Sequence, residues 1–369
     1  MVQKVLRGRG KLGRLQEMMD HFGVTRPMVV ASERGQKCLP GMDVYFSDFH
    51  PNPDFADCVK GAEVFRAAGC DGLISLGGGS AMDTAKGIKA VVMAATPEDA
   101  LASRLGEDEG VPHIAVPTTA GSGAEATSTA VLFVEGRKVS LRHGALLPQA
   151  VVLDGALLDT LPDLQRKSCA MDALCQGIEA YWSPGATGDG QVQAYLAMLG
   201  VLDNLRAYLA GDRDAQNAML YAAYDSGRAV EQNRTTAAHA LSYPITQHLG
   251  IPHGQACMLV LPILWDHAVN TESALPILME TADRMRLGSE YMGSRLLRGM
   301  MIDLGLEVTQ MPEDSVLDAI VDDVDLNRVQ HHIEPLTKEQ IRRIYRRAFT
   351  PAQGKDRQVC EDLWKYYGK

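Results

Sequence analysis

Short apolar runs alternate with amphipathic stretches through the first part of the chain. Pro27-Met-Val-Val-Ala-Ser32 reads as a buried strand and Asp43-Val-Tyr-Phe46 as a weaker one. Between Pro53 and Ala68 the apolar residues Phe55, Val59, Ala62 and Phe65 fall on one helical stripe. Asp71-Gly-Leu-Ile-Ser-Leu76 is a third strand and runs straight into Gly77-Gly-Gly-Ser80. His113-Ile-Ala-Val-Pro117 and Ala150-Val-Val-Leu-Asp154 follow later. Val131–Val134 and Lys138–Leu141 form a hairpin pattern turning at Glu135-Gly136. Strands separated by helices predict a doubly wound parallel sheet. Beyond Asp159-Thr-Leu-Pro162 the strand-like runs stop, and long Ala/Leu/Met-rich helical patterns continue to the C-terminus. The pattern predicts an α/β N-terminal domain over 1–158 and an all-helical C-terminal domain over 159–369.

Composition narrows the function classes. The 369 residues are enough for two domains with real cores. A net charge of −10 without a basic run argues against nucleic-acid binding. No segment approaches the roughly 18 apolar residues of a membrane span, and the first residues lack the apolar core of a signal peptide. Seven scattered cysteines without a C-x-x-C pair predict free thiols in a reducing cytoplasm.

Two loops carry the nucleotide chemistry. Strand, then Gly77-Gly-Gly-Ser80, then the helical Ala81–Lys86 is a phosphate-binding arrangement. Glycines let the backbone approach a pyrophosphate, and the helix start offers unpaired N–H groups. It is neither a Walker loop nor a G-x-G-x-x-G fingerprint. Pro117-Thr-Thr-Ala-Gly-Ser-Gly-Ala-Glu125 is a second loop after a strand, where open α/β sheets bind ligands.

In the helical part, Asp172 and Gln176 stand four apart, as do His239 and Tyr243, so each pair shares a helix face. His253 lies in Gly250-Ile-Pro-His-Gly254, a turn able to present an imidazole at a helix start. An acid with two imidazoles suits Fe²⁺, Zn²⁺ or Mn²⁺ better than Ca²⁺, and a neutral amide is a weak ligand. The alternative is a cap with buried, hydrogen-bonded histidines. Cys169, Cys175 and Cys257 lie nearby and read as small core residues.

GGGSAMDTAK, PTTAGSGAE, the Asp172-Ala-Leu segment leading to IEAYWS, and IPHG, in this order, resemble the iron-containing (group III) alcohol dehydrogenases. The resemblance implies a dinucleotide-binding domain, a helical domain, a cleft between them, and a homodimer or larger assembly. It implies Asp172, Gln176, His239 and His253 as the metal set, with Gln176 where most members carry His, and Fe²⁺ or else Zn²⁺ as the metal. Tyr243 stands where many members have a non-ligand His. Gly78, Gly79, Ser80, Thr118, Thr119, Asn52 and Lys138 match cofactor-contacting positions. Ser32 stands where NAD-preferring members often have Asp. With Arg34 and Lys37 close by, NADPH is expected to be accepted beside NADH.

Gln176 and Tyr243 together are similar to the phosphonoacetaldehyde reductase branch. That likeness implies reduction of phosphonoacetaldehyde to 2-hydroxyethylphosphonate. Arg234 is the first candidate for the phosphonate, ahead of Arg142, His143, His248 and Arg357. Tyr243 and His248 are the candidate proton-transfer residues. Other readings stay open: another small or carboxylated aldehyde, a sugar-phosphate cyclase, or a nucleotide binder without catalysis.

Overall fold

A computed structural model describes residues 2–106 and 110–367. The chain divides into two compact units, Met1–Leu161 with Ala210–Gly227, and Pro162–Leu209 with Arg228–Lys369.

The first unit is built on a six-stranded parallel sheet. Its strands are β1 (Lys4–Arg7), β2 (Pro27–Val30), β3 (Val44–Phe46), β4 (Gly72–Gly77), β5 (His113–Pro117) and β8 (Ala150–Leu153). Their order is β1-β8-β5-β4-β2-β3. Strands β2, β5 and β8 are buried at every position, so they read as continuous apolar runs. A separate antiparallel hairpin pairs β6 (Thr129–Val134) with β7 (Arg137–Arg142). Its turn has Glu135 and Gly136 both at positive φ, as a two-residue hairpin turn requires.

Strand β1 carries no sequence signal. It lies at the sheet edge, and its four residues are only exposed or half-buried, so no apolar run marks it. One sheet face packs Met28, Val30, Leu73 and Phe65 in a cluster with Ile88. The other packs Val29, Ile74, Ile114 and Val152 in a cluster with Leu15 and Met18.

The sequence change near residue 158 falls close to the division at Leu161. The structure adds Ala210–Gly227 to the first unit. Helical periodicity says that such a segment is helical, but not which core receives it. The contacts explain its placement. A Cβ on Gly227 would lie 2.1 Å from Gly123 O, so only glycine lets these backbones touch. Tyr224 also donates to Gln3 Oε1 at 3.0 Å.

The second unit is helical. Its main members are Asp163–Trp182, Gly188–Leu209, Ala237–Leu249, His253–Ala268 and Gly293–Leu304. Buried Trp182 and Trp265 pack at 5.5 Å between ring centroids. Among the described residues no helix is long and apolar enough to cross a membrane.

Candidate active site

The nucleotide loops sit at the carboxyl ends of neighbouring strands. Gly77 at the end of β4 is in register with Pro117 at the end of β5. Gly78 caps a 15-residue helix, Gly79–Met93, and as a glycine makes no side-chain cap bond to its first N–H groups. A Cβ on Gly78 would meet Thr119 Cγ2 at 3.2 Å, and one on Gly79 would meet Ser122 Oγ at 3.2 Å. The two loops are therefore already in close contact, leaving a backbone cradle with positive helix-end character.

Thr118 N donates to Gly77 O at 2.9 Å. The Ser80 hydroxyl donates to Pro51 O, tying the bend that carries Asn52 to the same helix start. Ser32 follows β2 and caps a short helix, its Oγ accepting from Gly35 N at 3.3 Å. Arg34 donates to the carbonyl of Thr160. Lys138 on β7 and Lys86 are both cations near half-buried Asp83, whose carboxyl desolvation raises to about 6.

Lys86 was not singled out from the sequence. Its ammonium is fully buried and donates to Ala124 O (2.7 Å), Thr127 Oγ1 (3.0 Å) and Thr129 O (2.8 Å). Three oxygens compensate the desolvated charge and fix the end of the second loop to the helix that starts the first.

The second unit gathers a different kind of site. Donor atoms of Asp172, His239, His253 and Cys257 all lie within 4.8 Å of one another. Asp172 is on the Asp163–Trp182 helix, His239 on Ala237–Leu249, and His253 is the first residue of His253–Ala268. Gly254 makes the meeting possible. A Cβ there would stand 2.0 Å from Ser168 O and 2.8 Å from Asp172 Cβ.

Both imidazoles are oriented from behind. Glu179, fully buried, accepts from His239 Nδ1. Its other oxygen accepts from Thr236 N (3.1 Å), Thr236 Oγ1 (2.8 Å) and Ala238 N (2.7 Å). Burial alone would raise the Glu179 carboxyl, but His239 and these donors hold it below its usual range. Ser242 donates its hydroxyl proton to His239 O at 2.8 Å, so toward His253 Nδ1, 3.3 Å away, it acts as acceptor. Both Nδ1 atoms are thereby engaged as donors, and both Nε2 atoms are left facing Asp172.

His239 Nε2 is buried without a hydrogen-bond partner, and Asp172 Oδ1 lies 3.3 Å from it out of hydrogen-bonding alignment. His253 Nε2 is 3.8 Å from the same oxygen. Burial would raise Asp172, but His253 and His239, both held in the protonated form above the usual imidazole value, keep its carboxyl below the usual range. With both Nδ1 atoms engaged, the two Nε2 atoms that face this carboxylate take either protons or a shared metal ion. The donor set therefore fits a divalent metal.

Gln176 is placed one turn from Asp172, with Nε2 donating to Asp172 Oδ1 at 3.4 Å. Tyr243 stacks on His253 at 5.0 Å between centroids. The Arg328 guanidinium lies 5.3 Å from the Tyr243 ring centroid. Arg328 is half-buried and makes no salt bridge among the described residues. It sits far along the chain on a short helix, Leu326–Val329, and no spacing in the sequence points to it.

Several sequence candidates are committed elsewhere. His248 is at the surface, paired with Asp323, and is not among the clustered donors. Arg357 pairs with Glu307 (2.8 Å) and Glu361 (3.0 Å). His143 Nδ1 accepts from Ala145 N at 3.2 Å as a cap. Arg142 ends β7. Arg234 is exposed with φ 63° in the connection before Ala237. A cavity of about 530 Å³ beside Trp265 and Arg298 contains none of the donors, and its Arg298 and Arg347 both pair with Asp266.

Glycine-lined phosphate loops on a parallel sheet, and an acid–imidazole centre on helices, define a class of two-part, metal- and nucleotide-binding proteins. Residues 3–155 match the iron-containing alcohol dehydrogenase family, and residues 167–349 match the family's Fe-containing C-terminal part. The chain belongs to the iron-containing alcohol dehydrogenase family.

It is 30% identical over 338 residues to 4-hydroxybutyrate dehydrogenase of Cupriavidus necator, covering 83% of this chain and 82% of that protein. It is 37% identical over 236 residues to phosphonoacetaldehyde reductase of Streptomyces viridochromogenes. That match covers 60% of each, less than two thirds of the reductase's length. Sulfoacetaldehyde reductase of Bifidobacterium kashiwanohense, solved with NAD⁺, has the same fold. Its TM-score is 0.87 at 23% identity, with 95% of this chain and 98% of that chain covered.

Proposed function

We propose that the protein is an NAD(P)H-dependent, metal-dependent aldehyde reductase, and that its substrate carries an anionic group, with phosphonoacetaldehyde the specific reading. The 37% identity to a phosphonoacetaldehyde reductase supports the substrate. The observation that carries the anionic class is Arg328, a half-buried guanidinium that makes no salt bridge among the described residues, beside the tyrosine that stacks on His253. Arg328 replaces Arg234 as the first candidate for the phosphonate.

When bound, the divalent cation supplies Lewis acidity that polarises a carbonyl, and the dihydronicotinamide supplies a hydride. The chain's own residues do the rest. Gly78, Gly79 and Ser80 at the helix start hold the pyrophosphate, with Asn52 alongside. Thr118, Thr119 and Lys138 are the other cofactor contacts. Ser32, lacking a carboxylate, leaves room and charge for a 2′-phosphate, so NADPH is accepted beside NADH.

Asp172, His239 and His253 hold the metal, with Gln176 at Asp172. Glu179 and Ser242 keep the two imidazoles in the ligating tautomer. Arg328 pairs with the anionic end of the substrate, and the Tyr243 phenol holds a proton for the forming alkoxide.

The test compares kcat/KM for phosphonoacetaldehyde and acetaldehyde in wild type and Arg328→Met. A hydrogen-bonded charge pair contributes roughly 1.5–3 kcal/mol, so the phosphonate should lose about 10- to 100-fold while acetaldehyde changes little. Equal losses on both aldehydes would remove Arg328 from substrate recognition. Oxidation of NADPH by neither aldehyde would reject the reductase reading itself.

A further inference from the structure

We propose that Cys257 is the fourth protein ligand of the metal centre, making the donor set Asp172, His239, His253 and Cys257, and that this set selects zinc. The inference deepens the reading of a metal-dependent enzyme and rests on it.

Cys257 stands one helical turn after His253, so both project from the same face of His253–Ala268. The thiol is fully buried, and its Sγ is 3.8 Å from His253 Nε2. Its donor atom belongs to the same 4.8 Å group as Asp172, His239 and His253. In a tetrahedral centre with bonds of about 2.0–2.3 Å, neighbouring donors lie roughly 3.3–3.8 Å apart. The apparent packing role of a buried cysteine is met by a different residue: Cys175, on the facing helix, has its Sγ 3.8 Å from Met258 Sδ.

The independent sign of a ligand is His239. It is 3% exposed, its Nδ1 is committed to Glu179, and its Nε2 is buried without a hydrogen-bond partner in the middle of the group. A buried Nε2 without a hydrogen-bond partner, faced by a carboxylate and a thiol, marks a place for a cation.

Gln176 competes for the fourth place. Its amide nitrogen is turned to Asp172, at 3.4 Å from Oδ1. That hydrogen bond orients the carboxylate and makes Gln176 a positioning residue. Charge favours Cys257 as well. One carboxylate and one thiolate balance a divalent cation, whereas an amide in the same place leaves a net positive charge in a buried site. A soft thiolate with imidazoles suits zinc better than the oxygen-preferring metals.

The experiment is zinc-edge X-ray absorption on the full-length protein loaded with Zn²⁺, with metal content measured in parallel. The wild type should show one sulfur neighbour at about 2.3 Å beside nitrogen and oxygen at about 2.0–2.1 Å. Cys257→Ser should lose the sulfur shell and bind zinc more weakly, and Gln176→Leu should keep the sulfur shell. Bound zinc with only nitrogen and oxygen neighbours in the wild type would overturn the Cys257 assignment and leave the metal centre standing. Failure to bind any divalent metal would overturn both. The wild-type spectrum decides by itself, so the outcome does not depend on either variant folding.

Discussion

The nucleotide loops and the donor cluster are built in opposite ways. In the proposed function the first unit would recognise phosphates through backbone N–H groups at a helix start, where Gly78 and Gly79 add no side chain. In the second unit the proposed ligands are side-chain atoms from three helices, with Asp172, His239 and His253 each held by a partner. A backbone site is sensitive to added atoms, and a side-chain site to removed ones. Each part should therefore fail separately.

The largest separation should come from His239→Ala. A site of this kind is worth roughly 10–16 kcal/mol over four ligands, so losing one should weaken metal binding by about 100- to 1,000-fold. NADPH binding, followed by fluorescence, should be unchanged. Loss of both would mean that the two sites are not independent.

Gly78→Val is the converse. The new side chain would press on Thr119, whose Cγ2 already lies 3.2 Å from the Cβ position, and would cover the helix-end N–H groups. Affinity for NADPH should fall on the order of 100-fold, through charge-assisted bonds worth roughly 1.5–3 kcal/mol each. Metal content should stay at the wild-type value. Retained nucleotide affinity would show that the phosphates bind elsewhere.

Ser32→Asp sharpens the backbone side by adding one charge. It should shift the NADPH/NADH preference toward NADH by about tenfold, because a carboxylate repels a 2′-phosphate and accepts from a free ribose hydroxyl. An unchanged ratio of the two kcat/KM values would move the ribose contact to another residue.

The smallest effect concerns the interior of the second nucleotide loop. Burial raises the Glu125 carboxyl from 4.5 to about 7. A folded-state value above the unfolded one means that the native state holds its proton more tightly. This contribution is complete below pH 4.5 and is lost as pH rises toward 7. The difference corresponds to about 3 kcal/mol at most. Glu125→Gln should remove that slope and be the more stable form at pH 8, read as melting temperature against pH. Parallel curves for the two proteins would show that Glu125 stays ionised in the fold.

The same contrast decides what was legible in the sequence. Strands β2, β4, β5 and β8 were readable because burial on both faces leaves nearly continuous apolar runs, interrupted by the hydrogen-bonded pair Ser75 and His113. The β6–β7 hairpin was readable from its alternation and turn residues. Edge strand β1 was not, since Lys4 and Arg7 are exposed and only Val5 and Leu6 carry a pattern. The glycine loops were visible because a backbone site needs contiguous small residues.

Of the side-chain site, Asp172, His239 and His253 were visible from residue type and helical spacing. Glu179 could have been found, since it stands seven residues after Asp172 on the same helical face. Cys257 offered the same four-residue step from His253 that singled out Gln176 and Tyr243, but a buried cysteine is ordinarily core. Arg328 had no local signal, because tertiary packing alone brings it to Tyr243.

The central claim is that reduction needs both halves of this division. Its most direct test is the rate of NADPH oxidation with phosphonoacetaldehyde for the full-length protein as purified, after chelation to remove metal, and after Zn²⁺ or Fe²⁺ is restored. The account predicts turnover that disappears on chelation and returns with metal, while NADPH binding persists throughout. Turnover that survives complete metal removal would contradict it.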